Sequence, residues 1–503
     1  MRPSILLALL PLAAACSSTP ERPSIPDASV NSAQPSTSPA VAPAAPTAGV
    51  PPVAGLHLQA LVATSGDFVE NLLDGDPTTG WSPAADPVDN GVLLRFEEPT
   101  RVLQAQLQLC PESSSATFQT FVNGAENTLV RINPGGPVLL PWRGGADTPA
   151  LKSLFVRVLG SDGPVEVCEI ALTLPPENPQ AVKPPRAVSA TIQASSVLEP
   201  ADAYHPGYLF DGRTDFGWVE GADGLGVGES LTVQFAAPVQ VTGLDLWNGY
   251  QRSADHFAKN ARLATLELAV DGGTPQTIPV ADVSGMQQLS LPTPVTGQRF
   301  VLTVAAATPG SKYQDLVISE LRLRDVAGPF TLDTPDLAER EQALMDHIQG
   351  TDLDRIVDRV WRGLCNEGVR LSLRSNHSFV SYRQLDDPME DDVREIFDGA
   401  WVVKALGEPN SIQLFGRAHR AETTWVPYGD VQVQTTERIA GGTSTLWLHG
   451  PAHQARSAQL MGDRTFADEH SYCQPDGAAW LAKDPGDVLF INGTSLAGVY
   501  IPF

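Results

Sequence analysis

The chain contains the stretch Leu72-Leu73-Asp74-Gly75-Asp76-Pro77-Thr78-Thr79-Gly80-Trp81 and repeats its pattern as Leu209-Phe210-Asp211-Gly212-Arg213-Thr214-Asp215-Phe216-Gly217-Trp218. Both copies place two apolar residues before an Asp-Gly pair and end on a Trp. Self-similarity at this long spacing indicates one structural unit that is used twice. The repeat therefore sets the architecture of the chain before any single residue is interpreted.

The two copies share a second landmark close to their ends. Residues 167–172 correspond to residues 318–323, and each segment carries a glutamate, Glu169 or Glu320. The offset between the copies grows from 137 residues at the Asp-Gly pair to 151 residues at these glutamates. Insertions into the surface loops of a common framework produce this kind of growth.

The repeats have the residue pattern of β-strands. Apolar and polar residues alternate with a period near two in 103–109, 231–235 and 263–270, and Pro and Gly separate such runs. Short alternating runs between turn signals are typical of an antiparallel sandwich or jelly roll. The sequence therefore predicts a mostly β fold with two consecutive antiparallel β-sandwich (jelly-roll) domains, at 54–175 and 187–326.

The C-terminal part, 330–503, combines helices and strands. A first helix is expected after Thr334-Pro335 and ends near Gly350, and a second is expected from Thr351 to Leu364. The short apolar runs that follow predict an antiparallel β meander or a small barrel, which makes this an α+β domain. Three of these runs resemble lipocalin strands, at 379–382, 399–401 and 412–416. Such a barrel could hold an apolar ligand, although side chains usually fill a small one.

The first 53 residues belong to neither repeat. An apolar run at 5–12 is followed by small residues and Cys16, which has the form of an export signal and is too short to span a bilayer. The stretch resembles the lipobox of bacterial lipoproteins, which implies a signal peptide at 1–15 and lipid on Cys16, with ordinary cleavage as the alternative. Ser17 after the cysteine implies the outer membrane. Residues 16–53, rich in Pro, Ala and Ser, predict a disordered tether.

The net charge restricts the partners of this chain. The formal charge is −25 at pH 7, and Lys and Arg form no conspicuous cluster. Nucleic acids and anionic lipid surfaces bind basic patches, so neither is expected to bind the folded domains. A glycan or another neutral surface ligand remains compatible with this charge, a membrane is expected only through the lipid anchor, and a protein partner stays open.

Four cysteines remain once Cys16 is assigned to lipid, and four allow three pairings. Cys110 and Cys168 both lie in the first repeat, whereas Cys365 and Cys473 both lie in the C-terminal part. An exported chain with an even pair in each domain favours one disulfide per domain. Four buried thiols are the alternative.

The second copy contains a polar segment that the first lacks. Trp247-Asn248-Gly249-Tyr250-Gln251-Arg252-Ser253 is followed by Phe257-Ala258-Lys259-Asn260-Ala261-Arg262. Together with the Asp-Gly and Trp landmark and the closing Ile-Ser-Glu-Leu strand, this segment resembles the discoidin-type family of galactose-binding-like jelly rolls. The resemblance is closest to the glycan-binding, translocation-associated domain found beside bacterial secreted NAD glycohydrolases. It implies carbohydrate recognition at one loop-rich end of the second domain.

The implied carbohydrate site combines aromatic and polar side chains. A sugar presents apolar faces and rows of hydroxyls, so it needs an exposed aromatic plate beside short donors and acceptors. The candidates are Trp247, Asn248, Tyr250, Arg252, Phe257, Asn260 and Arg262. Alternatively, Trp247 and Phe257 fill the core while Asn260 and Arg262 stabilise a loop. The first copy has Leu-Cys-Pro-Glu at 109–112 in the equivalent place and is expected to be degenerate.

The Asp-Gly turn and the Trp that closes the repeated phrase each need an interpretation. Trp81 and Trp218 occupy equivalent positions beside a tight turn, which favours a structural role for both. Asp74 and Asp211 could each donate a carboxylate to a calcium-holding loop, as the resemblance implies. Alternatively, each Asp side chain caps its own turn. No other cofactor is expected.

Catalytic signatures are absent from the sequence. It contains no His-Glu-x-x-His, Gly-x-Ser-x-Gly, phosphate-loop or Cys-x-x-Cys motif, so an enzyme is not expected. Three classes of function remain. They are a glycan-binding envelope lipoprotein, a non-catalytic scaffold or protein-interaction lipoprotein, and a ligand carrier or enzyme that uses the C-terminal domain.

Overall fold

A computed structural model describes residues 55–66, 68–83, 90–140, 150–333, 336–364, 369–385, 392–425, 431–449, 487–493 and 498–502. The proposed signal peptide, the tether, Cys16, Cys365 and Cys473 lie outside these residues. Within them, no helix is both long and apolar enough to cross a membrane. The mostly β fold class is confirmed. The domain limits given above stay predictions.

The first domain is built from β1 Leu56–His57, β2 Ala60–Ala63, β3 Gly91–Thr100, β4 Gln104–Leu109, β5 Ala116–Val122, β6 Ala125–Ile132, β7 Val138–Leu140, β8 Leu151–Ser161, β9 Val167–Thr173 and β10 Val182–Lys183. A five-stranded sheet in the order β2-β3-β8-β5-β6 faces a three-stranded sheet in the order β7-β4-β9. Alternate side chains of the two sheets, such as Leu94, Leu107 and Phe118, form one buried core.

A disulfide joins the two cysteines of the first domain. Cys110 follows β4 and Cys168 lies in β9, and the bonded residues have Cα atoms 5.0 Å apart. This separation lies within the usual range for a disulfide. The predicted Cys110–Cys168 pairing is therefore confirmed.

The second domain is built from β11 Ala187–Ala194, α1 Ala201–Tyr204, β12 Trp218–Val219, β13 Ser230–Asn248, α2 Ala254–Lys259, β14 Arg262–Val270, β15 Gln276–Pro279, β16 Met286–Thr308, β17 Val317–Asp325 and β18 Gly328–Asp333. Its strands follow the order β12-β17-β18-β11-β13-β16-β14-β15. The first half of β13 pairs with β11 and its second half pairs with β17, with a register shift against β16 between Gln234 and Val239. This long strand therefore belongs to both layers of the sandwich.

The C-terminal domain begins with α3 Asp336–Ile348 and α4 Asp352–Ile356 and continues with β19 Arg359–Gly363, β20 Val369–Leu373, β21 Ser378–Leu385, β22 Asp392–Ala405, β23 Asn410–Trp425, β24 Val431–Leu448, β25 Leu489–Asn492 and β26 Gly498–Pro502. Consecutive strands are neighbours, and β26 pairs with β19 to close a barrel. The helical pair and the barrel were both predicted. Among the described side chains, Trp361, Trp401, Leu414 and Leu446 are fully buried in a core with helix residues, so this part of the barrel is packed.

The second helix is shorter than predicted. It ends at Ile356, and the expected helical residues Val360 and Trp361 lie in β19. Asp358 adopts a left-handed φ of 57°, which breaks the helix between the two elements. The β-branched Val357 and Val360 also favour an extended chain over a helix.

The repeated tryptophans are equivalent in space as well as in sequence. Trp81 is 2% exposed and Trp218 is 1% exposed. Each indole Nε1 donates to a backbone carbonyl at 2.9 Å, from Trp81 to Ser65 and from Trp218 to Ser196. The prediction that both are structural is confirmed.

Trp218→Ala should lower the free energy of unfolding by about 3–5 kcal/mol, because it removes a fully buried ring and leaves its partner carbonyl without a donor. Urea unfolding followed by circular dichroism measures the change. Phe68→Ala is the control, because Phe68 is 66% exposed and its loss should have little effect. Equal effects of the two substitutions would contradict the structural role of Trp218.

Candidate functional site

The predicted polar segment forms one loop-rich end of the second domain. Trp247 and Asn248 end β13, and Gly249 turns the chain with a φ of 70°. A Cβ at Gly249 would lie 2.8 Å from Arg262 and 3.0 Å from Phe257, so the turn requires glycine. Ser253 then caps α2 by accepting from the backbone N–H of His256. The predicted residues therefore do share one end of the sandwich.

Trp247 and Tyr250 do not form an exposed plate. Their exposed fractions are 7% and 5%. The Arg322 guanidinium lies over the Trp247 ring, 5.2 Å from its centroid, and Tyr250 packs against Val219 and Val317. The expectation of an exposed aromatic pair is wrong, because both rings point inward from the ends of core strands.

Three of the predicted polar residues hold the loops together. Asn248 donates from Nδ2 to the Leu263 carbonyl and accepts from the Leu263 N–H at Oδ1, both at 2.9 Å. Asn260 Nδ2 donates to the His256 carbonyl at 2.8 Å. Arg262 Nη1 donates to the Asn260 carbonyl at 2.9 Å and pairs with Asp282. These contacts match the alternative in which polar members stabilise the loops.

Arg252 and Phe257 are the partly exposed members of the predicted set. Arg252 donates from Nε to the Asp215 carbonyl at 2.6 Å, and its guanidinium stacks on three rings. The distances from Cζ to the ring centroids are 4.5 Å for Tyr250, 5.1 Å for Phe216 and 3.9 Å for Phe415 of the barrel. Phe257 lies under Arg262, 5.0 Å from its Cζ. Arg252 is therefore the predicted residue with the most contacts beyond its own loop.

Several functional candidates escaped sequence analysis. Tyr204 packs against the buried group that contains Tyr250. The loop of Tyr313 and Asp315 lies at the same end, because the Tyr313 N–H donates to the Lys259 carbonyl at 2.8 Å and the Ala261 N–H donates to the Asp315 carbonyl at 3.1 Å. The rings of Tyr250 and His256 meet edge to face at 5.4 Å. We call this group the loop-end cluster, and its members are Tyr204, Tyr250, Arg252, His256, Tyr313 and Asp315. The sequence feature that could have pointed to Tyr313 is its position in the Pro-Gly-Ser-Lys-Tyr loop at 309–313, because loops commonly carry binding residues.

The loop-end cluster combines exposed and buried polar groups. Tyr313 is 42% exposed. The Tyr250 hydroxyl and Arg252 Nη2 are buried and have no hydrogen-bond partner among the described residues. Burial and the nearby Arg252 lower the pKa of His256 to about 4, so this imidazole is neutral at pH 7 and can donate and accept. Lys312 Nζ lies over the Tyr313 ring, 4.7 Å from its centroid, and His256 Nδ1 already bonds the Ser253 hydroxyl at 2.8 Å. The cluster therefore offers a partly exposed ring and two polar groups without hydrogen bonds in the described part of the chain.

The Asp-Gly landmark forms a second repeated constellation. Asp74 Oδ1 accepts from the N–H of Asp76 at 2.7 Å, and Asp211 Oδ1 accepts from the N–H of Arg213 at 2.9 Å. Each aspartate therefore caps its own turn, as the alternative interpretation states. The Gly that follows donates its N–H to the glutamate of the closing strand, from Gly75 to Glu169 and from Gly212 to Glu320. Each copy thus brings two carboxylates together.

The first-copy carboxylates supply two of the six to eight oxygen ligands that a calcium ion takes. Burial and the neighbouring Asp74 raise the pKa of Glu169 to about 7, and Glu169 Oε2 is buried without a hydrogen bond. Paired carboxylate oxygens are ligands that Ca²⁺ prefers. Asp74 and Glu169 would hold the ion, whose two charges would neutralise both groups. The described residues contain no group of three or more His, Cys, Asp and Glu side chains arranged for a metal.

The second-copy carboxylates do not fit calcium. Burial raises the pKa of Asp211 to about 6 although the guanidinium groups of Arg340 and Arg213 lie beside it. Glu320 faces Arg322 and Arg95. These arginines already supply positive charge, so a divalent cation would be repelled. The arginines therefore disfavour calcium at Asp211, and the observed cap matches the alternative interpretation.

The fold and its loop end define a discoidin-type β-sandwich. Residues 185–324 match the family model of the NAD glycohydrolase translocation F5/8 type C domain, so this part of the chain is a domain of that type. The match confirms the resemblance seen in the sequence. A comparison with curated proteins finds no match.

Solved structures with some similarity include three of bacterial origin. The family 32 carbohydrate-binding module of Clostridium perfringens NanJ in complex with galactose is 16% identical, with 27% of this chain and 92% of that chain covered and a TM-score of 0.22. The CBM32-1 and CBM32-2 domains of C. perfringens ZmpB in complex with GalNAc are 11% identical, with 53% and 89% covered and a TM-score of 0.22. The arabinofuranosyltransferase AftD from Mycobacteria is 14% identical, with 78% of this chain covered and a TM-score of 0.22. The present chain spans 35% of AftD.

Glu169→Gln should remove a pH dependence of stability. The folded state raises the pKa of Glu169 from 4.5 to about 7, so between these pH values the folded chain keeps a proton that the unfolded chain has released. Stability therefore falls as the pH rises through this window, by about 1 kcal/mol after solvent screening. The melting temperature of Glu169→Gln should exceed that of the wild type at pH 8 and match it at pH 4.

Calcium provides the second arm of this measurement. Addition of Ca²⁺ at pH 8 should raise the melting temperature of the wild type, because the ion neutralises Asp74 and Glu169, and should leave Glu169→Gln unchanged. The exposed Glu98→Gln is the matched control. An equal calcium response in all three proteins would rule out this pair as the site.

Proposed function

We propose that this protein is an exported, lipid-anchored carbohydrate-binding protein of the bacterial cell envelope. Its glycan binds at the loop-end cluster of the second domain, and Cys16 anchors the chain, with Ser17 directing it to the outer membrane. The match of residues 185–324 to the F5/8 type C family supports a binding module. The assigned role is recognition, without a chemical reaction.

One observation carries the carbohydrate proposal. The exposed Tyr313 shares its end of the domain with two buried polar groups that lack partners, the Tyr250 hydroxyl and Arg252 Nη2. Buried polar groups without hydrogen bonds are costly, so a ligand that supplies hydroxyls is favoured there. A sugar supplies both these hydroxyls and an apolar face that can stack on a tyrosine ring.

The charge of the chain supports a neutral ligand. At −25 the protein repels anionic polymers, whereas a neutral sugar is insensitive to this field. The cluster itself contains both signs, Arg252 and Asp315, each of which can hydrogen-bond a hydroxyl. A neutral glycan is therefore the ligand class that this end accommodates best.

A second candidate is a non-catalytic scaffold. It is favoured by the contacts of the barrel with the first domain, where Arg370 Nη1 donates to the Leu159 carbonyl at 2.8 Å and Asn376 Nδ2 donates to the Thr64 carbonyl at 2.6 Å. These contacts join the first domain directly to the barrel. On this view the sandwiches position the barrel for a protein partner.

Tyr313→Ala should weaken glycan binding by the full chain more than tenfold, about 1.4 kcal/mol, because it removes the stacking ring. Binding is measured on a glycan array that includes galactose-terminated sugars, and affinities are then determined by calorimetry. Folding should be unaffected because the residue is exposed. Phe68→Ala, an exposed aromatic of the first domain, is the control and should bind normally. Wild-type binding by Tyr313→Ala would place the sugar elsewhere.

Cys16→Ser should move the protein from the membrane fraction to the soluble fraction, because it removes the thiol that would carry lipid. Detergent phase partitioning of cell extracts measures the change. Glu98→Gln is the control, since it changes an exposed side chain of the first domain and leaves the signal and the disulfide intact. An unchanged distribution of Cys16→Ser would disprove lipid anchoring.

A further inference from the structure

One flank of the loop-end cluster is in contact with the C-terminal barrel. Phe415, a residue of β23, lies against the Arg252 guanidinium with a ring-to-Cζ distance of 3.9 Å. The same ring meets the His256 ring edge to face at 5.4 Å. Tyr313, in contrast, is exposed to solvent. The cluster thus has an open side and a side that the barrel covers.

The contact extends beyond Phe415. Tyr208 and Phe216 of the second domain form a buried apolar group with Ala400 of the barrel, against which Val402 packs. Close to this group, the Asp202 carboxylate faces His347 of α3 at 3.0 Å and His377 of the barrel at 3.3 Å. The barrel is therefore seated on the loop end by apolar and polar contacts together.

The covered guanidinium keeps one polar atom unsatisfied. Phe415 offers its ring face to Arg252, but a ring carries no lone pair that could accept a hydrogen bond from Arg252 Nη2. Arg252 Nη2 and the hydroxyl of the neighbouring Tyr250 are both buried without hydrogen bonds among the described residues. A sugar hydroxyl at this position would satisfy them. Phe415 and a sugar would therefore compete for the same guanidinium.

We infer that the barrel gates the carbohydrate site, with Phe415 and the glycan binding to Arg252 in a mutually exclusive manner. This inference rests on the proposed carbohydrate-binding function and specifies how that function is regulated. The apparent dissociation constant for the glycan is inversely proportional to the fraction of molecules in which Arg252 is uncovered. If about one molecule in ten has Arg252 uncovered, the full chain binds its glycan about tenfold more weakly than an ungated site.

Phe415→Ala in the full chain tests the gate. It should tighten binding to galactose-terminated glycans about tenfold, because Arg252 is no longer covered. Hydrogen exchange of residues 249–260 should speed up in the same variant, which reports the release of the loop without any sugar. Leu406→Ala is the matched control, because it removes an apolar side chain that is 36% exposed on the same barrel. It should change neither measurement.

Phe415→Arg provides a second variant in case the first destabilises the barrel. It places a like charge against Arg252 and should open the gate by repulsion. Thermal melting establishes that each variant is folded.

The outcomes separate the gate from the carbohydrate proposal. Tighter binding by both Phe415 variants, with Leu406→Ala unchanged, supports the gate. Equal or weaker binding by the variants, with Tyr313→Ala still defective, overturns the gate and leaves the carbohydrate proposal intact. Absence of glycan binding by the wild type and by every folded variant overturns both.

Discussion

The packing of the three domains depends on how two buried carboxylates are compensated. Asp211 and Glu320 lie side by side, and Glu320 is 3% exposed. Arg95 of the first domain donates from Nη1 to the Gly212 carbonyl at 3.0 Å, and Arg340 of α3 approaches Asp211 with an Nη1–Oδ2 distance of 3.5 Å. Buried charges without partners cost several kcal/mol. Both neighbouring domains therefore contribute an arginine beside this carboxylate pair.

The same constellation has a different environment in the first domain. Asp74 is exposed and Glu169 is half-buried, so water or a cation can reach this pair. Duplication preserved the turn, the glycine N–H and the glutamate in both copies, whereas the surrounding charges diverged. The first pair consequently stays open to solvent, whereas the second lies at a junction between domains.

The loop end of the second domain shows a related division of roles. Asn248, Asn260 and Arg262 use their polar groups to join loop segments, which fixes the backbone that presents Tyr313 and Arg252. Residues that resemble a binding motif can therefore be essential to a site without touching its ligand. The cation–π stack between Arg252 and Phe415 also joins this end to the barrel, so domain packing and the proposed recognition share one side chain.

The sequence by itself determined the features that depend on local pattern. Strand periodicity indicated the mostly β class, and the repeated phrase located the turn and both structural tryptophans. The pairing of each turn Asp with the glutamate of the closing strand appeared only in the structure. The division into domains favoured the Cys110–Cys168 disulfide among the pairings that composition allowed. These features follow from residues close in the chain or from comparison of one copy with the other.

Only the tertiary structure decided which side chains face solvent and which domains meet. Trp247 lies at the end of a strand, where the pattern fits an exposed or a buried ring, and the guanidinium of Arg322 from β17 settles its place in the core. Phe415 stands 163 positions after Arg252, and nothing in the periodicity of either segment links them. The alternation of apolar and polar residues specifies which face of a strand is buried. Which element packs against that face depends on how whole domains pack.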